Sequence, residues 1–149
     1  MEMSHTDSQG KAKMVDVSEK NIVHRTAKAQ GKVFLNSEAY LSLKNNDLKK
    51  GDALAVAKIG AIQAAKNTSG LIPLCHNIPI NQVDLSFDLN DDENSVTINS
   101  FAITDAKTGI EMEALVAVSL AGLIIYDMCK AIDKKIRITD IRLIEKTKI

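Results

Sequence analysis

The chain has 149 residues, enough for one domain with a sizeable core, and its 19 basic and 19 acidic side chains leave no net charge at neutral pH. Such a balance excludes the broadly basic surface that nucleic acid or an anionic membrane demands, although local clusters can still hold phosphates. Two cysteines and no signal sequence point to a reducing cytoplasm rather than a disulfide framework.

Residues 1–13 are polar and read as a flexible tail ahead of a single domain over residues 14–149. Met14-Val15-Asp16-Val17 alternates, and Ala27, Ala29, Gly31 and Val33 alternate with Lys28, Gln30 and Lys32, as in a strand with one buried face. The small residues on that face let another element pack close. Asn36 offers the N-cap of a short helix through Leu43, closed by Asn45-Asn46. Asp52 likewise caps a helix from Ala53 to Lys66, with Leu54, Ala57, Ala61, Ile62 and Ala65 at helical spacing. Lys49 and Lys50, just ahead of that N-terminus, oppose the helix dipole, a conflict that an anion bound there would relieve.

Pro73 and Pro79 hold an extended segment that contains Cys75 and His76. A zinc ion on Cys75, His76 and the distant Cys129 would need two adjacent ligands, and no C-x-x-C or H-x-x-x-H spacing supports one. No metal site is expected, and His76 suits hydrogen bonding or acid–base work better. Val83, Leu85, Phe87 and Leu89 form a half-exposed strand, and Asn90-Asp91-Asp92-Glu93-Asn94 turns it into a hairpin. The return strand starts in phase at Val96 and Ile98 and slips by one at Phe101 and Ile103, which predicts a β-bulge.

Thr108-Gly109 then opens the most apolar stretch of the chain. No charge falls between Ala114 and Tyr126, which predicts a helix wrapped in protein on all faces and too short for a membrane span of ~18 or more apolar residues. Acids bracket it, with Glu111 and Glu113 at its start and Asp127 beside Lys130 at its end. At ~1.5 Å per residue, Glu113 and Asp127 lie about 21 Å apart along the axis, beyond the reach of one small substrate. Either the two ends do separate jobs, or a site at one end is completed by the other end of a neighbouring copy's helix. So short a chain has little material to enclose such a helix, which favours a homo-oligomer. Ile136, Ile138, Ile141 and Leu143 form a last strand with a further phase slip. The order strand, helices, strand, strand, helix, strand is the split βαβ pattern: a ferredoxin-like α+β sandwich, with helices on one face of an antiparallel sheet.

Six blocks of this sequence together resemble the cyclic pyranopterin monophosphate synthase family of molybdenum cofactor biosynthesis. They are Met14-Val15-Asp16-Val17-Ser18 with Lys20, Lys50-Gly51-Asp52, Ile62-Gln63-Ala64-Ala65-Lys66, Leu71-Ile72-Pro73-Leu74-Cys75-His76, Thr108-Gly109-Ile110-Glu111-Met112-Glu113-Ala114-Leu115, and Ile125-Tyr126-Asp127-Met128-Cys129-Lys130-Ala131. The resemblance implies a lyase that rearranges 3′,8-cyclo-7,8-dihydro-GTP to cyclic pyranopterin monophosphate and releases pyrophosphate. It also implies a homohexamer built from dimers, with active sites between subunits. By the same resemblance Lys50, Lys130 and Asp127 are catalytic, and Leu74, Cys75, His76, Met112 and Glu113 contact substrate, with Glu111, Lys66, Arg25 and Lys146 as further candidates.

On the physical side, Lys50, Lys66, Lys146 and Arg25 suit a polyanionic triphosphate, Lys130 and Lys50 suit proton transfer, and Asp127 suits orienting Lys130. Glu113 suits accepting paired N–H donors of a guanine-derived ring. No resident cofactor is expected; Mg²⁺ on the substrate triphosphate is compatible, but no acidic cluster demands it. The sequence departs from the family pattern at Asn67 in place of Arg, at Asn77 in place of Pro, and after Lys146, where the family carries Gly-Gly-Lys-Ser-Gly. None of these changes falls on Lys50, His76, Glu113, Asp127 or Lys130, so activity is expected. Rival readings are an RNA-binding module, which three Phe, two Tyr and no Trp argue against, and a small-molecule-sensing domain without catalysis.

Overall fold

In the computed structural model, which describes residues 6–149, the elements run in the order expected. They are β1 (Val23–Phe34), α1 (Ser37–Lys44), α2 (Ala53–Lys66), α3 (Thr68–Leu71), β2 (Gln82–Asn90), β3 (Ser95–Ala106), α4 (Glu111–Cys129) and β4 (Arg137–Lys148). The strands form one antiparallel sheet in the order β2-β3-β1-β4, with α2 and α4 on one face, the ferredoxin-like split βαβ arrangement. Of the tail expected over residues 1–13, the first five lie outside the described residues, while Thr6 and Ala12 pair across a turn closed by Asp7.

The caps form where the side chains provide them. Asn36 accepts from the Ala39 N–H at 2.8 Å to start α1, and Asp52 accepts from the Ala55 N–H at 3.0 Å to start α2. The one-turn α3, which no periodicity announces, adds a Thr68 hydroxyl that donates to the Ala65 carbonyl.

Two strand expectations need correction. Residues 14–17 are not a strand; they run as an unpaired strap, and the Val15 carbonyl that a ladder would use accepts from His76 instead. Nor does β3 contain a bulge, because its register is unbroken with β1 from Ser95 to Ala106 and with β2 from Ser95 to Ile103. The helix-facing side of β3 continues through Ser100 and Thr104, whose hydroxyls donate to the Ala114 and Pro79 carbonyls. Phe101 and Ile103 point to the opposite face. The apparent slip was therefore polar residues satisfied on the buried side. The slip in β4 is real: its register with β1 shifts at Lys28/Ala29 and at Gln30/Lys32, and Asp140 takes a φ of 56°.

The buried side of α2 is a stripe of Ala53, Ala57, Ala61 and Ala65, small enough for α4 to pack against it antiparallel. Helix α4 crosses the sheet equally closely. A Cβ on Gly122 would meet Ile138 Cγ2 at 3.0 Å. Its own chain does not wrap α4 on all faces, since Leu123 is 53% and Tyr126 37% exposed. Sheet and α2 cover two sides of the helix, and no element among the described residues covers Leu123 and Tyr126 on the third. Val56 and Ile59 of α2 are exposed as well, at 45% and 68%. At 19 residues α4 is long and apolar enough by composition to cross a membrane, contrary to the reading that it is too short. Ten of those residues are buried here, which makes it the core helix of the sandwich.

Candidate active site

The end of α4 and the start of α2 build the first half of the site. Asp52 caps α2, and Gly51, with a φ of 107°, makes the turn that carries Lys50 toward α4. The Lys50 Nζ donates to Asp127 Oδ2 and to the Asp127 carbonyl, both at 3.1 Å. Lys130, one turn further along, donates to the other carboxylate oxygen, Oδ1, at 3.0 Å. The anion that relieves the conflict at the α2 N-terminus is therefore, within this chain, the Asp127 carboxylate. Hydrogen bonds from Lys130 and then Lys50 hold its carboxyl below the ordinary value of 3.8. All three side chains are about half exposed. The cluster thus offers two oriented ammonium groups to an incoming anion.

The other half surrounds the start of α4. A cavity of about 430 Å³ is lined by Leu74, Cys75 and His76 on one wall and by Glu111, Met112 and Glu113 on the other, with Ile72, Thr108 and Gly109. Ile110 at the N-cap provides no side-chain cap, so the helix start is left to its acids and to whatever enters the cavity. Glu113 is only 5% exposed, and burial, reinforced by the Glu111 charge, pushes its carboxyl above the ordinary value of 4.5. Burial, then the Glu113 and Glu111 charges, pushes the Cys75 thiol up as well. Cys129, buried at the far end, is pushed up to about 11, so neither thiol is primed as a nucleophile. An apolar lining with a few convergent polar groups fits a heterocycle with several N–H and C=O positions.

Other predicted residues lie at the margin. The Lys146 Nζ approaches Glu111 Oε1 at 3.9 Å, at the edge of the cavity. Lys66 is exposed in the last turn of α2, at the end of the helix pair where α4 begins. Arg25 does not join either cluster: its Nε and Nη2 donate to the Ala106 and Lys107 carbonyls at 3.2 Å, and it lines a separate cavity with Glu19, Lys20 and Lys148. Sequence reasoning missed the strap over His76, although residues 14–18 stood in the first matching block. Among the described residues no three His, Cys, Asp or Glu side chains gather as metal ligands. Phe34, the kind of sheet aromatic that RNA binding would use, is covered by Lys32 at 4.9 Å and Arg137 at 4.6 Å.

Comparison with known proteins identifies the family. Over residues 14–148 the chain matches the family model described as the MoaC family. It is 50% identical to the cyclic pyranopterin monophosphate synthase of Heliobacterium modesticaldum, over 97% of this chain and 91% of that protein. It is also 50% identical to the enzyme of the same name from Peptoclostridium acidaminophilum, over 99% and 92%. A molybdenum cofactor biosynthesis bifunctional protein of Chlorobaculum tepidum is 49% identical over 99% of this chain and 46% of its own length. Matched over nearly its full length by the family model and by these relatives, the chain belongs to the MoaC family.

Proposed function

We propose that this chain is a cyclic pyranopterin monophosphate synthase, a lyase of molybdenum cofactor biosynthesis that converts 3′,8-cyclo-7,8-dihydro-GTP to cyclic pyranopterin monophosphate and pyrophosphate. Closing a cyclic monophosphate from a triphosphate needs a hydroxyl oxygen to attack the α-phosphorus, a proton to leave that hydroxyl, and cations to hold the departing pyrophosphate. The Lys50–Asp127–Lys130 cluster carries this reading: one carboxylate orients two exposed ammonium groups that can neutralise phosphate oxygens and relay protons. The cavity at the start of α4 takes the ring system, with Glu113 and His76 as its polar partners and Leu74, Cys75 and Met112 as its walls. In this reading Lys66 and Lys146 supply further cations for phosphates at that end. Mg²⁺ accompanies the substrate triphosphate if it takes part at all, and the protein itself needs no resident cofactor.

The two halves belong to one site only if copies associate. Within one chain they stand at opposite ends of α4, about 21 Å apart. The exposed Leu123, Tyr126, Val56 and Ile59 lie on the helix pair between them. In our reading two copies pack these helices about a two-fold axis, so that the lysine cluster of one faces the Glu113 cavity of the other. Further contacts between such dimers give a hexamer, and the unpaired Cys75 and Cys129 suit the reducing cytoplasm.

The test is pyrophosphate release from enzymatically prepared 3′,8-cyclo-7,8-dihydro-GTP by the wild type, Lys130→Ala and Asp127→Ala, each checked for an unchanged oligomeric state. Release by the wild type that is lost in both variants is the expected result. A correctly assembled wild type that binds the substrate and releases nothing would leave only the sensing-domain reading.

A further inference from the structure

His76 lies where two cavities meet. One is the Glu113 cavity; the other is lined by Met14, Val15, Asp16, Val17, Ser18, His76 and Lys107. The His76 Nε2 is 2.6 Å from the Val15 carbonyl oxygen. A carbonyl can only accept, so Nε2 carries the hydrogen, and in the neutral ring Nδ1 is left as the lone-pair nitrogen. The Val15 carbonyl is free for this because residues 14–17 pair with no strand.

An unpaired strap holds such a contact only if it is anchored. Asp16 Oδ1 accepts from both the Ser18 N–H and the Ser18 hydroxyl, which folds the strap into a tight turn. The Lys107 Nζ, from just beyond β3, donates to the Ser18 carbonyl at 2.8 Å. Lys107 is held in its turn, because Arg25 donates to the Lys107 and Ala106 carbonyls. The path from Arg25 through Lys107 and Ser18 to Val15 ends on the one imidazole among the described residues of the cavity.

We infer that residues 14–18, anchored by Lys107, form a positioning strap that fixes the His76 ring with its hydrogen on Nε2 and leaves Nδ1 as the acceptor offered to substrate. Lys107 is thus a positioning residue that acts through Ser18 and Val15 and touches no substrate atom. The same path gives Arg25 a role other than holding phosphate: it keeps Lys107 in place. Fixing one tautomer means that no rotamer or tautomer search precedes proton acceptance at Nδ1. The inference rests on the proposed reaction for its meaning, but its primary readout does not depend on turnover.

The experiment is ¹⁵N–¹H correlation spectroscopy of the imidazole in the assembled free protein, at a pH about two units above the ordinary imidazole value so that the ring is neutral. In the wild type we expect a single Nε2–H tautomer for His76 with a slowly exchanging Hε2 proton. Lys107→Met should lose the slow exchange and shift both nitrogens toward averaged values, and Lys107→Arg should restore the wild-type spectrum. Asp16→Ala, at an exposed position where folding is not at stake, should loosen the same proton while Lys107 remains. Turnover should follow, with kcat lowered about 10- to 100-fold in Lys107→Met and KM little changed, as for a group held out of line. A hydrogen on Nδ1 in the wild type overturns the inference. So do wild-type His76 signals in both Lys107→Met and Asp16→Ala, whatever happens to the rate. A wild type with the expected tautomer that releases no pyrophosphate would instead overturn the proposed reaction alone.

Discussion

If the active site is shared between copies, two dead variants should rescue one another. Glu113→Gln disables the cavity at the start of α4, and Lys130→Ala disables the cluster at its end. Because about 26 Å of helix separates Glu113 from Lys130, no site confined to one chain can use both. In a random mixture of equal parts, a given site draws an intact Glu113 from one copy half the time and an intact Lys130 from the neighbouring copy half the time. About a quarter of the sites are then whole in the unfractionated mixture, and in assemblies that contain both variants the whole share is about a half for a dimer and about a quarter for a hexamer, so turnover per site should recover in that proportion. Each variant alone should fall by about 100-fold or more, the usual contribution of a placed acid–base group. The two chains are co-expressed with different tags, the doubly tagged assemblies are isolated, and pyrophosphate release is measured per site. Doubly tagged assemblies no more active than the single variants would refute the shared site, and with it the pairing of the two ends of α4.

Three further outcomes follow from the same geometry. Leu123→Asp should dissociate the assembly at micromolar concentration without unfolding the chain. It removes about 1–2 kcal/mol of apolar covering from each of two symmetry-related positions and places a carboxylate in each; light scattering after size exclusion reads it, and activity should fall with the assembly. Glu113→Gln should melt above the wild type at neutral pH. The folded Glu113 has a raised pKa, so the stability present below its ordinary value of 4.5 is lost as pH rises through the raised value, whereas Gln has nothing to ionise. Thermal melts of the two should converge on acidification below that ordinary value. Gly122→Leu should cost about 1–3 kcal/mol in denaturant melts, because the new side chain must displace Ile138, already 3.0 Å from where its Cβ would lie.

Much of this was legible in the sequence, because the signals were local. Asn36 and Asp52 cap helices by hydrogen bonds within three residues, and the alternation of Val83, Leu85, Phe87 and Leu89 needs only its own strand. The errors arose where one residue's environment is set by a distant one. Ser100 and Thr104 looked like a break in the buried face of β3 because their acceptors, Ala114 and Pro79, belong to other segments. Residues 14–17 alternate like a strand, yet the partner of Val15 is a histidine side chain 61 residues away. The pairing of Lys50 with Asp127 spans 77 residues, so from local signals Lys50 could be read only as a cation awaiting an anion. The exposed side of α4 was illegible for another reason: a helix apolar all round gives the same sequence whether its last face meets its own chain or a second copy.

That one helix also holds two carboxylates in opposite conditions. At its start Glu113 is buried beside another acid, which favours its protonated form; at its end Asp127 is half exposed between two lysines, which favours its ionised form. The difference comes from neighbours rather than from residue type. The buried Glu113 carboxyl is suited to hydrogen bonding with the heteroatoms of a ring. A carboxylate firmly ionised between two ammonium groups cannot act as an acid, but it can hold those groups at fixed positions for phosphate oxygens. Bringing the two ends together across a two-fold axis would set the Glu113 carboxyl facing a pair of oriented cations, whose charge favours its ionised form there. No single end of the helix could offer that arrangement, because about 21 Å of helix separates Glu113 from Asp127 within one chain.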